Sequence, residues 1–131
     1  MQYKSNTDGI EILVRPEYIN SQINKDGNFF VWSYHIEINN KSEETFQLVN
    51  RHWKIIDEIG VMQEIKGLGA VGEQPILGPN DNFRYTSNVH LRHPSGVMSG
   101  DYGMKKSNGE IIKIKIPAFS LDVPNMKSTV N

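Results

Sequence analysis

The chain contains no cysteine. That absence excludes disulfides, thiolate nucleophiles, cysteine zinc sites and iron–sulfur ligation together, and it fits a reducing compartment. Basic excess is missing too. The 14 Lys and Arg stand against 15 Asp and Glu, for a formal net charge of −1. A domain that grips nucleic acid by counterion release carries a clear positive surplus, so no nucleic-acid partner is expected. No window approaches the ~18 consecutive apolar residues of a spanning helix. The opening residues MQYKSNTDGIEILVRP hold neither the apolar core nor the cleavage site of a secretory signal. The expectation is a soluble protein of the cytoplasm. No segment has a convincing amphipathic helical period, and there is neither an internal repeat nor a low-complexity stretch.

What is present reads as β-structure. In FFVWSYHIEIN, residues 29 to 39, Phe30, Trp32, Tyr34, Ile36 and Ile38 fall on one face at period two. Ile10, Ile12 and Val14 alternate before Pro16, which suits an outer strand. TFQLVNRHWKIID (45–57), VMQEIKG (61–67) and NFRYTSNVHL (82–91) are further strand-like runs. Turn signals part them: DGN at 26–28, NNKS at 39–42, DEIG at 57–60, and GPND at 78–81 with Pro79 placed for a type I turn. Asn108-Gly109 predicts a hairpin between GVMSGDYGMKK and EIIKIKI, after which Pro117 is expected to stop the ladder. Gly96, Gly100 and Gly103 thin out their strand, suggesting a bulged or closely approached backbone. About seven strands without a helix predict a single antiparallel β-sandwich over residues 1–124, with 125–131 a loose tail.

The segment GLGAVGEQP matches G-x-G-x-x-G at Gly67, Gly69 and Gly72. That pattern cradles a dinucleotide only where a strand enters and a helix starts at once behind it. Here EQPILGPND comes next, with two prolines and no helical pattern. The glycines then serve either positive-φ turning in an irregular connection or an open nest of N–H groups for an anion. No cofactor is expected.

Other candidates are weaker in pattern. Alternation sets Arg51 and Trp53 on one face and His52 on the other. Arg51 would satisfy nearby carbonyls, or Arg51 or His52 would reach the Gly-rich loop to bind an acidic group. His90 and His93, with Asp101, make an incomplete metal set in a chain without cysteine. Ser87, His90 and Asp101 compose a catalytic triad only on paper. Lys105, Lys106, Lys113 and Lys115 form a basic hairpin that guards a strand edge or faces an acidic partner. Met62, Met98 and Met104, with Tyr102, read as packing residues.

Taken in order and spacing, NRHWKIID (50–57), GLGAVGEQPILGP (67–79), FRYTS (83–87), HPSGVMSGDYGM (93–104) and IKIPAFSLDVP (114–124) resemble the bacterial ApaG family over roughly residues 8 to 124. The family usually has valine where Ala70 stands. The resemblance implies a fibronectin-III-like, immunoglobulin-like sandwich and an association with cobalt resistance and magnesium efflux. A similar domain in eukaryotic F-box proteins looks like a protein-interaction module. The expected function is a non-enzymatic binding module that recognises a protein or small anionic ligand through end loops. Gly67, Gly69, Gly72, Arg51 and His52 are its candidate contacts. The alternatives are a nucleotide- or phosphate-processing enzyme using His52 or His90, and a soluble divalent-metal binder. With no spanning segment, any effect on efflux would pass through a transporter, a regulator or a soluble ligand. An exposed edge strand could pair two copies.

Overall fold

The computed structural model describes residues 1–25 and 27–124. Among them lie nine strands: β1 (Tyr3–Thr7), β2 (Ile10–Asn24), β3 (Gly27–Asn40), β4 (Phe46–Asp57), β5 (Met62–Leu68), β6 (Ile76–Leu77), β7 (Asn82–Leu91), β8 (Ser95–Lys106) and β9 (Ile111–Asp122). All pairings are antiparallel. One sheet runs β1-β2-β3-β7; the other runs β5-β4-β8-β9, with β6 on the same strand β4. The two sheets form a β-sandwich. The Asp26 turn signal and the 125–131 tail fall outside the described residues.

Period-two patterning decides which side chains meet between the sheets. Ile10, Ile12 and Val14 of β2 and Trp32, Tyr34, Ile36 and Ile38 of β3 are buried from one side. Phe46, Leu48, Trp53, Ile55, Tyr102, Ile114, Ile116 and Phe119 close from the other. Trp53 lies at the centre, 5.3 Å from the Tyr34 ring and 6.0 Å from that of Phe119, both edge-on. Such tilted pairs add stabilisation beyond the buried area. The Trp32 indole donates to the Asp122 carbonyl at 3.0 Å, so its polar atom is satisfied inside the apolar layer. Buried Asn40 is satisfied as well: it donates to the carbonyls of Glu44 and Leu77 and accepts from Ser42, tying down the two loops beside it.

Four expectations need correction. β2 is an outer strand only from Arg15 onward: β1 covers it from Ile10 to Val14, and pairing with β3 continues past Pro16. Pro16 is tolerated because β1 has ended where its missing N–H would be needed. Pro117 does not stop β9, which runs on to Asp122; a register shift between Met98 and Gly100 absorbs it, on an edge strand. The GPND turn has Asn80 at φ 69, with Asp81 N–H donating to the Gly78 carbonyl. Positive φ at the third position makes it type II, not type I. Finally, Met62 does not pack in the core but stands exposed on β5, whereas Met98 and Met104 are buried.

The Asn108-Gly109 hairpin forms as a three-residue loop. Gly109 takes φ 91 and Lys106 N–H donates to the Glu110 carbonyl. The glycines of β8 permit close approach: a Cβ on Gly100 would come 2.1 Å from the His52 carbonyl oxygen. Two strands escaped the sequence pattern. β1 returns through Asp8-Gly9 as a short hairpin, and β6 is two residues long.

Candidate functional site

The Gly-rich segment is a miniature hairpin. Ala70 and Glu73 exchange both backbone hydrogen bonds, each 2.9 Å, around Val71 at φ 45 and Gly72 at φ 79. Two successive positive φ values define a type I′ turn. Gly69 is also left-handed, at φ 58, and a Cβ there would lie 2.0 Å from the Glu73 carbonyl oxygen. Its N–H donates to the Val49 carbonyl. The N–H groups of Gly69, Ala70 and Glu73 are therefore spent on the hairpin's own frame. None of these three is left over for the open nest of donors that an anion or pyrophosphate needs. The next element in the chain is strand β6, not a helix.

Arg51 belongs to this hairpin. Its Nη1 donates to the carbonyls of Leu68 (2.8 Å) and Gly69 (3.1 Å). Its guanidinium packs onto Gly67, where a Cβ would meet it at 2.8 Å. The reading in which Arg51 satisfies nearby carbonyls holds, and those carbonyls are the ones of the Gly-rich segment. It faces inward beside a tyrosine cluster. Tyr85 and Tyr102 join hydroxyl to hydroxyl, and Tyr34 is bonded to Ser87. Burial holds Tyr102 and Tyr85 well above the ordinary phenol range, and the Arg51 charge opposes this weakly.

His52 points the other way, onto the outer face of the β5-β4-β8-β9 sheet. Register sets the order of side chains there, since directly opposed residues share a face. Lys66, His52, Asp101 and Lys115 make one row across all four strands. Leu68, Asn50, Gly103 and Lys113 make the row on one side; Glu64, Lys54 and Ser99 begin that on the other. His52 Nε2 lies 2.8 Å from Glu64 Oε2, and this contact holds the Glu64 carboxyl below its usual range. A trough of ≈ 350 Å³ opens on this face, lined by His52, Lys54, Ser99, Asp101, Lys113 and Lys115. Among the described residues, the lysines held by carboxylates are Lys4 and Lys41, on Glu11, and Lys106, near Glu44 and Glu110. Lys54, Lys66, Lys113 and Lys115 have no such ion pair. A chain near neutrality thus gathers four lysines on one sheet face, against the carboxylates of Glu64 and Asp101. The lysine pattern was visible in the sequence only as a hairpin; register with β4 and β5 was needed to join it to His52, Lys54 and Lys66.

The remaining candidates do not converge. Asp101 sits on this outer face, opposite His52 and Lys115. His90 belongs to β7 in the other sheet, opposite Val31, where its ring meets Phe29 edge-on. His93 comes just after β7 and lies 3.7 Å from Glu58. Ser87 turns inward to Tyr34. Neither the paper triad nor the His90–His93–Asp101 metal set is assembled, and no cluster of three or more His, Asp or Glu with metal-binding placement occurs among the described residues. No helix among them is long and apolar enough to cross a membrane.

The fold and this surface define a two-sheet β-sandwich domain with a lysine-lined outer face. The chain belongs to the ApaG family: the ApaG domain model matches residues 20–106. It is 47% identical over 129 residues to Protein ApaG of Rhodospirillum centenum, covering 98% of this chain and 99% of that one. It is 49% identical to Protein ApaG of Methylocella silvestris, with the same coverage. Among solved structures, the putative ApaA protein from Bordetella pertussis superposes with a TM-score of 0.82 at 34% identity, covering 89% of this chain and 95% of that one. An X-ray structure of a structural-genomics target superposes with 0.85 at 38% identity, covering 90% and 89%.

Proposed function

We propose that this domain is a non-catalytic, cytoplasmic binding module that takes up an acidic segment of a protein partner on the outer face of the β5-β4-β8-β9 sheet. The carrying observation is the trough lined by His52, Lys54, Lys113 and Lys115, whose lysines form no close ion pair among the described residues. The trough opens to solvent along the sheet face. Small-molecule sites enclose most of their ligand in a cleft, whereas an open, charged strand surface suits a polypeptide. On the same face, Met62, Ile56 and Val97 stand in one exposed apolar row. Acidic and apolar side chains of one segment would thus both find partners. Asp101 and Glu64 supply repulsion against misplaced carboxylates, which adds selectivity. Gly67, Gly69, Gly72 and Arg51 contribute by shaping the hairpin that rims this face. The family's association with cobalt resistance and magnesium efflux then runs through the partner.

The test is fluorescence anisotropy with a labelled peptide of alternating glutamate and leucine and its glutamine counterpart. The glutamate peptide binds, binding weakens as salt rises, and Lys113→Ala with Lys115→Ala weakens it by up to about 1 kcal/mol per lysine. Equal binding of both peptides contradicts the proposal.

A further inference from the structure

Strand β5 is an open edge of the β5-β4-β8-β9 sheet. It pairs with β4 alone. Met62, Ile65 and Leu68 are 52%, 43% and 74% exposed along its seven residues. Exposed apolar edge strands invite pairing with another chain, and proteins normally blunt them with charge, proline or shortness. The other sheet-end strands show those devices. β1 has five residues; β9 carries Lys113, Lys115 and Pro117; β7 turns Arg84, Thr86, Asn88 and His90 outward.

The order of side chains on β5 says what covers it. The strand reads Met62-Gln63-Glu64-Ile65-Lys66-Gly67-Leu68. Laid antiparallel against itself about Ile65, it sets Glu64 opposite Lys66 of the second copy, and Lys66 opposite Glu64. Met62 meets Leu68 at both ends, Ile65 meets Ile65 on the axis, and Gln63 meets Gly67. Faces match as well. Met62, Glu64, Lys66 and Leu68 share the outer face with Ile56, Lys54, His52 and Asn50, while Gln63, Ile65 and Gly67 share the inner face with Ile55, Trp53 and Arg51. Every pair thus joins side chains on the same face. Opposite charges directly across a strand pair attract and like charges repel. Centring the pairing on Glu64 would oppose Glu64 to itself, and centring it on Lys66 would oppose Lys66 to itself. The Ile65 register is the one that pairs both charges favourably.

We propose that two copies of this chain join through β5 in this register, about a two-fold axis through Ile65, to make one continuous sheet. Self-complementarity of this kind is what an isologous two-fold interface requires. The axis stands perpendicular to the sheet, so both lysine troughs open on the same side of the dimer. The proposal is independent of what those troughs bind. A seven-residue strand pair is small as interfaces go, so the dimer forms in a concentration-dependent way.

The chain's lack of cysteine makes the register directly testable. Ile65→Cys places two thiols opposite each other at the axis, within disulfide reach. Gln63→Cys points to the same face, but its two copies lie four residues apart along the strands, about 13 Å. Mild oxidation should cross-link Ile65→Cys into a dimer that reduction reverses, and leave Gln63→Cys monomeric. Equal cross-linking of both, or none at Ile65→Cys, overturns the proposal. Charge reversal gives a second reading. Glu64→Lys and Lys66→Glu each create like-charge pairs on both sides of the axis and weaken sedimentation-measured dimerisation about tenfold. Mixing the two variants restores every opposite-charge pair, so a heterodimer should form at wild-type strength. Each variant's folding is checked by its melting curve. Failure of the mixture to associate, or a wild-type chain that sediments as a monomer up to about 1 mM, overturns it too.

Discussion

The hydroxyls of Tyr85 on β7 and Tyr102 on β8 meet inside the sandwich and hydrogen-bond to each other across the two sheets. Tyr102 is wholly buried. Removing one partner leaves the other hydroxyl without a bond in an apolar layer. Tyr85→Phe and Tyr102→Phe should each cost about 1–3 kcal/mol in urea unfolding, while the double variant loses less than the sum. Additive losses would show the pair to be uncoupled.

The same pair sets an alkaline limit. Burial raises both folded-state pKa values above the ordinary 10.0. The unfolded chain releases these protons first as pH climbs. The stabilisation is therefore full below pH 10 and is lost as pH rises from there towards the folded values. Melting temperature followed from pH 9 to 12 should fall more shallowly in the double phenylalanine variant than in the wild type.

Glu11 sets the acid side. Buried on β2, it accepts from Asn39 at 3.1 Å and from Lys41 at 3.1 Å, with Lys4 at 3.8 Å. The Asn39 hydrogen bond first, then Lys41, hold its carboxyl below the usual 4.5, against the cost of burial. Here the unfolded chain takes up the proton first as pH falls. The stabilisation is present above pH 4.5 and is lost as pH drops from there through the folded value. Glu11→Gln should flatten that part of the stability profile and leave the neutral-to-alkaline part unchanged in slope.

Strain and locking in the Gly-rich hairpin separate by substitution. Gly69→Val forces a branched side chain to positive φ and against the Glu73 carbonyl, and should cost at least about 1–3 kcal/mol. Arg51→Ala removes the bonds to Leu68 and Gly69 without touching backbone angles. Its mark is local: amide exchange across residues 69–73 accelerates well beyond that of β3.

Much of the architecture is written in residue alternation. Phe30 to Ile38 and the run 82–91 declare their strands because one face is more deeply buried than the other. β1 does not, since Tyr3 to Thr7 alternates only between partial burial and exposure. Pro117 misled because a proline's cost depends on whether a neighbouring strand needs its N–H, which only pairing reveals. The lysine face was likewise hidden. Lys54, Lys66, Lys113 and Lys115 are scattered along the chain, and only register gathers them. Arg51 and His52 were separable from alternation alone, but not that one would lock the Gly-rich hairpin and the other border the trough.

Amide chemical-shift titration locates binding residue by residue and tests the central claim most directly. Titrated with the glutamate–leucine peptide, the protein should show saturable shifts at His52, Lys54, Gly100, Asp101, Lys113 and Lys115. Titrated with pyrophosphate, ATP and NAD, it should show none confined to residues 67–74. Saturable shifts of that segment with NAD or pyrophosphate, and an unmoved lysine face with the peptide, would contradict the account.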